Sequence, residues 1–244
     1  VHDLLVKVLD NEVERQALVG KICVMEQVTD YFDMLMEMSS ARLAKVLIEG
    51  LPAKINTLTS FLNEDYYALF PLYNFYFTRD AAVTIGDNAL ICKMANKVRM
   101  RESLIMEAIY KGSGEFECGI INAYDHQPGN TNLYMEGGDI LIARDDILLI
   151  GNGMRTSTQG IDMLASRLGA LAPEGRRHII VQQLPHSPES FIHLDMVFTL
   201  LDRDKCMVFE PLILGDNQYQ TVHITMENGK VVKINSVSNI ISVL

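Results

Sequence analysis

The sequence predicts an α/β fold carried behind an all-helical segment. Apolar residues recur at helical spacing from Val1 to about Leu69, and after Pro71 the apolar runs shorten to strand length between turn residues. A rhythm of hairpin, helix and strand then appears once clearly and begins again, as in a repeated α/β module. The organisation expected is a helical part over 1–69 and an α/β part over 70–244.

In the helical part, Leu4, Leu5, Val8 and Leu9 share a helical face, and Leu18, Ile22, Met25 and Val28 continue the pattern. Ser40 is placed to cap a helix through Leu43, Val46 and Leu47, which Gly50 and Pro52 would end. Met25, Met34, Met36 and Met38 read as adaptable core packing between short helices. No strand is expected before Leu69.

Beyond Pro71, Val83 to Ile91 reads as a hairpin about Gly86-Asp87-Asn88. Ile140 to Ile150 reads as a second, turning at Arg144-Asp145-Asp146. Ile161, Leu164, Ala165 and Leu168 mark a helix that Gly169 would stop, and His178 to Val181 a short strand. Leu194 to Leu201 and Cys206 to Phe209 read as paired strands. Tyr219 to Met226 and Val231 to Ile234 form a hairpin with an Asn228-Gly229 turn.

Composition narrows the partners. The formal charge of −10 leaves no basic footprint for a nucleic-acid backbone and sits well with a cationic small molecule. No apolar run is long enough for a membrane span, and there is no amino-terminal signal pattern. Cys23, Cys92, Cys118 and Cys206 are scattered without a CxxC pair, as in a reduced, cytoplasmic protein. His2, His126, His178, His186 and His223 show no ligand spacing and read as surface or loop histidines; no metal or organic cofactor is implied. The start at Val1 and the stop at Leu244 inside an apolar stretch suit a chain cut at both ends. Such a cut would expose strand edges and favour self-association, and the oligomeric state stays open.

Four segments hold the unusual residues: Asn74 to Asp80, Lys97 to Glu102, Glu136 to Asp139 with Arg155-Thr156-Ser157, and His193-Leu194-Asp195. Singly, Asp80 reads as a cap, Gly137-Gly138 as a tight turn, and Arg99 and Arg101 as a wet face. Together they suggest more. On a strand, His193 and Asp195 would share one face, setting an imidazole beside a carboxylate for proton transfer near neutral pH. Gly137 and Gly138 let the backbone come close to something while fixing two acids at a strand's mouth. Carboxylates converging on one pocket call for a cation, and a guanidinium has forked donors that suit paired carboxylates.

These phrases, including His193 through Thr199, resemble the signature segments of arginine deiminases, in that family's order and at similar separations. The helical segment is similar to the insertion that sets arginine deiminases apart from smaller guanidine-modifying relatives. The resemblance covers about Leu4 to Ile234. It implies part of a five-bladed α/β propeller, the pentein fold, and hydrolysis of L-arginine to L-citrulline and ammonia through a covalent thiouronium. It implies that Asp80 and Asp195 grip the guanidinium, and that Glu136 and His193 handle protons. Asn74, Arg99 and Arg155 would bind the substrate α-carboxylate, Phe77 would pack on its stem, and Asp139 would be a supporting or substrate-contacting acid. The family's nucleophilic cysteine follows a Gly-rich segment near the carboxyl terminus, and none of the four cysteines here matches it. A fragment that binds arginine or a partner without turnover, and another guanidine-group enzyme of the same superfold, are the competing readings.

Overall fold

The computed structural model describes residues 1–55, 57–62, 66–125 and 132–244; His126 lies outside them. Along the chain come α1 (His2–Leu9), α2 (Glu12–Met25), α3 (Phe32–Met36), α4 (Ser40–Glu49), β1 (Leu51–Pro52), α5 (Leu58–Leu62) and β2 (Tyr67–Leu69). Then follow α6 (Thr78–Ala81), β3 (Ala82–Ile85), β4 (Asn88–Ile91), α7 (Met100–Gly112) and β5 (Gly119–Asn122). The remainder is β6 (Ile140–Arg144), β7 (Ile147–Asn152), α8 (Thr158–Leu171), β8 (Arg176–Gln183), β9 (Phe198–Asp202), β10 (Lys205–Val208), α9 (Glu210–Ile213), β11 (Thr221–Glu227) and β12 (Lys230–Val237). Contacts divide the chain into one unit of residues 1–78 and 96–120 and another of 79–95 and 121–244.

In the first unit, the Asn11 side chain accepts from the Val13 and Glu14 N–H groups at 3.0 and 3.3 Å, starting α2 where the sequence turns apolar. Leu5, Leu9, Ile22, Leu35, Leu43, Leu47 and Ile105 are fully buried and form its core. Arg15 of α2 is buried and donates to the carbonyls of Leu35, Met36 and Met38, satisfying the orphan acceptors at the end of α3. Gly50, at φ +93°, ends α4 as expected. Ser40 is instead the first helical residue, with Ser39 in the cap position. The four clustered methionines are half-buried; the core position among them belongs to Leu35. The segment is also not strand-free, because Leu51 pairs with Leu69 in a short antiparallel bridge.

The second unit carries a five-stranded sheet in the order β12-β11-β8-β7-β6, and a three-stranded one in the order β3-β4-β5. β7 and β8 run parallel, joined by α8; the other pairs of the larger sheet are antiparallel. Ile147, Leu149 and Ile180 pack with Leu194, Phe198 and Ile213 into one apolar cluster. Asn228 at φ 49° and Gly229 at φ 76° make the expected tight turn between β11 and β12. Gly169 does not stop α8, which runs on to Leu171. Its lack of a side chain serves packing instead: a Cβ there would lie 2.2 Å from the Gly229 carbonyl oxygen.

The strand expected from Leu194 begins only at Phe198. Leu194–Met196 is a 3-10 turn, closed by Met196 N–H to His193 and Val197 N–H to Leu194. His178 and His223, read as surface or loop residues, lie on neighbouring strands with Nδ1 and Nε2 2.8 Å apart. Among the described residues no helix is long and apolar enough to cross a membrane.

Candidate active site

Asp80 sits in the single turn of α6. The turn is held by Arg79, whose guanidinium donates to the Ile140 carbonyl. A Cβ on Gly137 would come 1.9 Å from the Arg79 carbonyl oxygen, and one on Gly138 would come 2.6 Å from His193 Nδ1 and 2.9 Å from Asp80 Oδ1. The paired glycines therefore let the Asp80 and His193 segments close upon the strand mouth.

Glu136, just before them, is fully buried. Its Oε1 accepts the Ala95 N–H at 3.1 Å and lies 3.5 Å from Arg155 Nη1. Its Oε2 is 3.0 Å from His193 Nε2. Burial works to raise the Glu136 pKa, but the His193 hydrogen bond and the Arg155 charge outweigh it and hold the carboxyl below its ordinary range. On the other side of the ring, His193 Nδ1 is 3.9 Å from Asp80 Oδ1. Burial works to lower the His193 pKa; the Glu136 hydrogen bond and the charges of Asp139 and Asp80 overcome it, so the imidazolium persists above its ordinary range. His193 is thus a buried imidazole between two acids that come from other segments. Strand alternation with Asp195, expected from the sequence, is not what pairs it.

Asp195 is half-buried in the 3-10 turn, and burial raises its pKa against the opposing charges of His193 and Arg79. Asp139 has no exposed surface, and burial pushes its pKa up to about 7. Its Oδ1 accepts the Leu194 N–H at 2.9 Å. The Thr156 hydroxyl, also fully buried, accepts the Glu136 N–H at 3.2 Å.

Asp80, Glu136 and His193 each offer one ligand atom within 4.8 Å of the others, so the trio could hold a cation. Both ring nitrogens of His193 face carboxylates, which favours the imidazolium over the neutral ring that a metal ion needs. With Asp195 beside them, the acids suit an organic cation with several N–H donors. Among the cysteines, Cys92 is nearest these acids in charge coupling. Burial, reinforced by Glu136 and Asp80, pushes its thiol well up and keeps it protonated. Cys23 is buried within α2 and also raised by burial.

A family model described as arginine deiminase matches residues 2–242. The chain belongs to the arginine deiminase family. It is 38% identical over 161 residues to the arginine deiminase of Levilactobacillus brevis, covering 65% of this chain and 38% of that protein. It is 32% identical over 222 residues to that of Latilactobacillus sakei, covering 87% and 53%. Arginine deiminase 1 of Staphylococcus epidermidis is 30% identical over 207 residues, 84% of this chain and 50% of that one. The chain therefore spans about half the length, or less, of these curated relatives. Among solved structures, a cyanobacterial arginine dihydrolase overlaps 56% of this chain and 19% of its own at 23% identity and TM-score 0.44.

Of the positions that likeness to arginine deiminases singles out, Asp80, Glu136, Asp139, Arg155, His193 and Asp195 gather in the second unit. Asn74, Phe77 and Arg99 lie in the first. There Asn74 and Phe77 are exposed, and the Tyr76 and Phe77 rings lie 4.1 Å apart, tilted by 34°. Arg99 is buried, with Nη2 2.7 Å from Glu102 Oε2. Arg101, almost wholly buried, donates to the Phe70 carbonyl and lies 3.5 Å from Glu26. The wet-face reading of both arginines is overturned, because their acids and carbonyls come from within the same helical unit. Sequence reasoning missed Thr156 as a tie and the Ala95 N–H as a Glu136 donor. The Arg155-Thr156-Ser157 phrase held the first signal; a backbone N–H leaves none.

Proposed function

We propose that this chain supplies the guanidinium-binding and proton-transfer groups of an arginine deiminase, which hydrolyses L-arginine to L-citrulline and ammonia. The observation that carries the reading is His193, held as an imidazolium between Glu136 and Asp80 with Asp195 alongside. Asp80 and Asp195 accept from the guanidinium. A thiolate attacks the guanidinium carbon, forming a C–S bond, and His193 passes its proton to the departing ammonia. The neutral imidazole then takes a proton from water as that water attacks the thiouronium carbon. The C–S bond breaks and citrulline leaves. Glu136 stabilises the imidazolium in the first step and orients the ring in the second.

Buried, protonated Cys92 and Cys23 do not suit the nucleophile, and Cys118 and Cys206 do not lie in the cluster. The nucleophile in this reading is a thiol outside these residues. Arg155 takes the substrate α-carboxylate; the likeness to arginine deiminases gives Asn74 and Arg99 the same role and Phe77 the stem, and turnover of agmatine tests the carboxylate roles. The unit β6-β7-α8-β8, a hairpin, a helix and a strand parallel to β7, is of the kind a propeller of such modules would repeat.

The test is release of ammonia and citrulline from L-arginine by the full-length product. His193→Ala is expected to lower kcat by about 10²–10⁴-fold. Calorimetric binding of L-arginine with no ammonia from the full-length product would replace the enzyme by a holding module. Agmatine turned over as fast as arginine would remove the carboxylate roles of Arg99 and Arg155.

A further inference from the structure

The acid at the far end of the Glu136 to Asp139 phrase sits where three segments meet. Asp139 Oδ1 accepts the N–H of Leu194, the residue after His193, at 2.9 Å. Thr156 Oγ1, also without exposed surface, accepts the Glu136 N–H at 3.2 Å, so the two ends of the phrase are each tied by one hydrogen bond. The third segment is β7, where a Cβ on Gly151 would come 2.2 Å from Asp139 Oδ1. Asp139 and Thr156 have no exposed surface, so neither reaches a ligand in the cleft. Among the described residues, Asp139 Oδ2 is buried with no hydrogen-bond partner. A carboxylate so placed is costly, and a neutral acid is much less so.

We propose that Asp139 is a positioning residue that works as a hydrogen-bond acceptor, holding the His193 segment through the Leu194 N–H, and that it does not contact substrate. The inference deepens the deiminase reading and rests on it only for the identity of the reaction. Two observations converge. Asp139 has no exposed surface, and Gly151 leaves its Oδ1 the room it occupies. The one backbone N–H it accepts is the one whose removal would free the 3-10 turn and let the imidazole leave Glu136.

The experiment titrates His193 by NMR on this chain, assigned by His193→Gln. The facing groups are Glu136, Asp80, Asp139 and Asp195, with Arg155 and Arg79 behind them. Asp139→Ala is expected to lower the His193 pKa by about one unit or more, as the ring loosens from Glu136. Asp139→Asn, which keeps an acceptor for the Leu194 N–H without the charge, is expected to recover at least half of that drop. Gly151→Ala crowds Asp139 Oδ1 and lowers the pKa in the same direction; it decides the matter if the alanine variant does not fold. An unmoved pKa in Asp139→Ala and Gly151→Ala overturns positioning. Equal drops in the alanine and asparagine variants overturn it too, in favour of a charge acting on His193. In the full-length product, alanine is expected to cost about 10–100-fold in kcat with KM little moved, and asparagine to rescue it. A raised KM in the asparagine variant would mean direct substrate contact. Failure of the wild type to turn over arginine would sink the deiminase reading and leave the His193 titration standing on its own.

Discussion

At the scale of single residues the site is a set of acids in unlike surroundings. Glu136 keeps its charge because His193 and Arg155 face it, whereas Asp139 is pushed up to about 7 by burial. The consequence for stability has a definite sign. An unfolded Asp titrates near about 3.9. Between about pH 4 and 7 the folded state therefore holds a proton that the unfolded state has released, and stability falls as pH rises through that window. His193, also raised, adds a loss in the same direction above its unfolded value of about 6.5, until the imidazolium is gone. Glu136, lowered, loses stability only as pH falls below its unfolded value of about 4.3. Asp139→Asn deletes the first contribution and, by removing a charge that helps raise His193, lessens the second. Its stability relative to wild type is expected to improve by up to about 3 kcal/mol between about pH 5 and pH 8. Denaturant melts of both proteins at the two pH values read this difference, and a constant gap would mean that Asp139 is already ionised at the lower one. Little of this was legible in the sequence. Glu136 and Asp139 look alike as letters flanking two glycines, and both are fully buried; what separates them is the His193 and Arg155 partners that only the closed fold brings to Glu136.

At the scale of elements, legibility followed locality. The β11–β12 turn was readable because Asn228 and Gly229 supply positive φ by themselves. The β6–β7 hairpin was readable from two apolar runs with a charged turn. The stretch from His193 was not, since Asp139 takes the Leu194 N–H and converts an apparent strand start into a 3-10 turn. Arg101 was misread because Glu26 and the Phe70 carbonyl are remote in sequence from α7, and Arg99 because burial of its pair with nearby Glu102 comes only with the packed unit. Gly169 was misread in a way that yields a test. Helix propensity alone says that Gly169→Ala should stabilise α8 by about 1 kcal/mol. The packing says the reverse, because the new methyl would meet the Gly229 carbonyl at 2.2 Å and both sides of that contact are backbone. Overpacking of this kind costs about 1–3 kcal/mol, so a net loss of stability is expected by thermal melting. A gain would mean that the β11–β12 turn gives way freely.

At the scale of the whole molecule, the five-stranded sheet ends on β12, an edge strand of residues 230–237. Val232 and Ile234 are 54% and 62% exposed on it, and Val231 is 47% exposed. An edge of that length with apolar side chains and open backbone groups is a template for another strand. Lys230 and Lys233 blunt it only in part, since a lysine can swing clear while the apolar groups cannot be hydrated cheaply. Against pairing stands the formal charge of −10, which drives copies of the chain apart. That repulsion is screened by salt, whereas apolar and backbone pairing is not weakened by it. The isolated chain is therefore expected to self-associate more strongly as ionic strength rises, the opposite of an association held by ion pairs. Ile234→Lys puts a third charge among the edge residues and should reduce association at every salt concentration. Sedimentation velocity or light scattering on the two proteins across a salt series separates the cases. A wild-type chain that stays monomeric at high salt would show that the β12 edge is protected as it stands, and a mutant that associates as strongly as wild type would place the contact elsewhere.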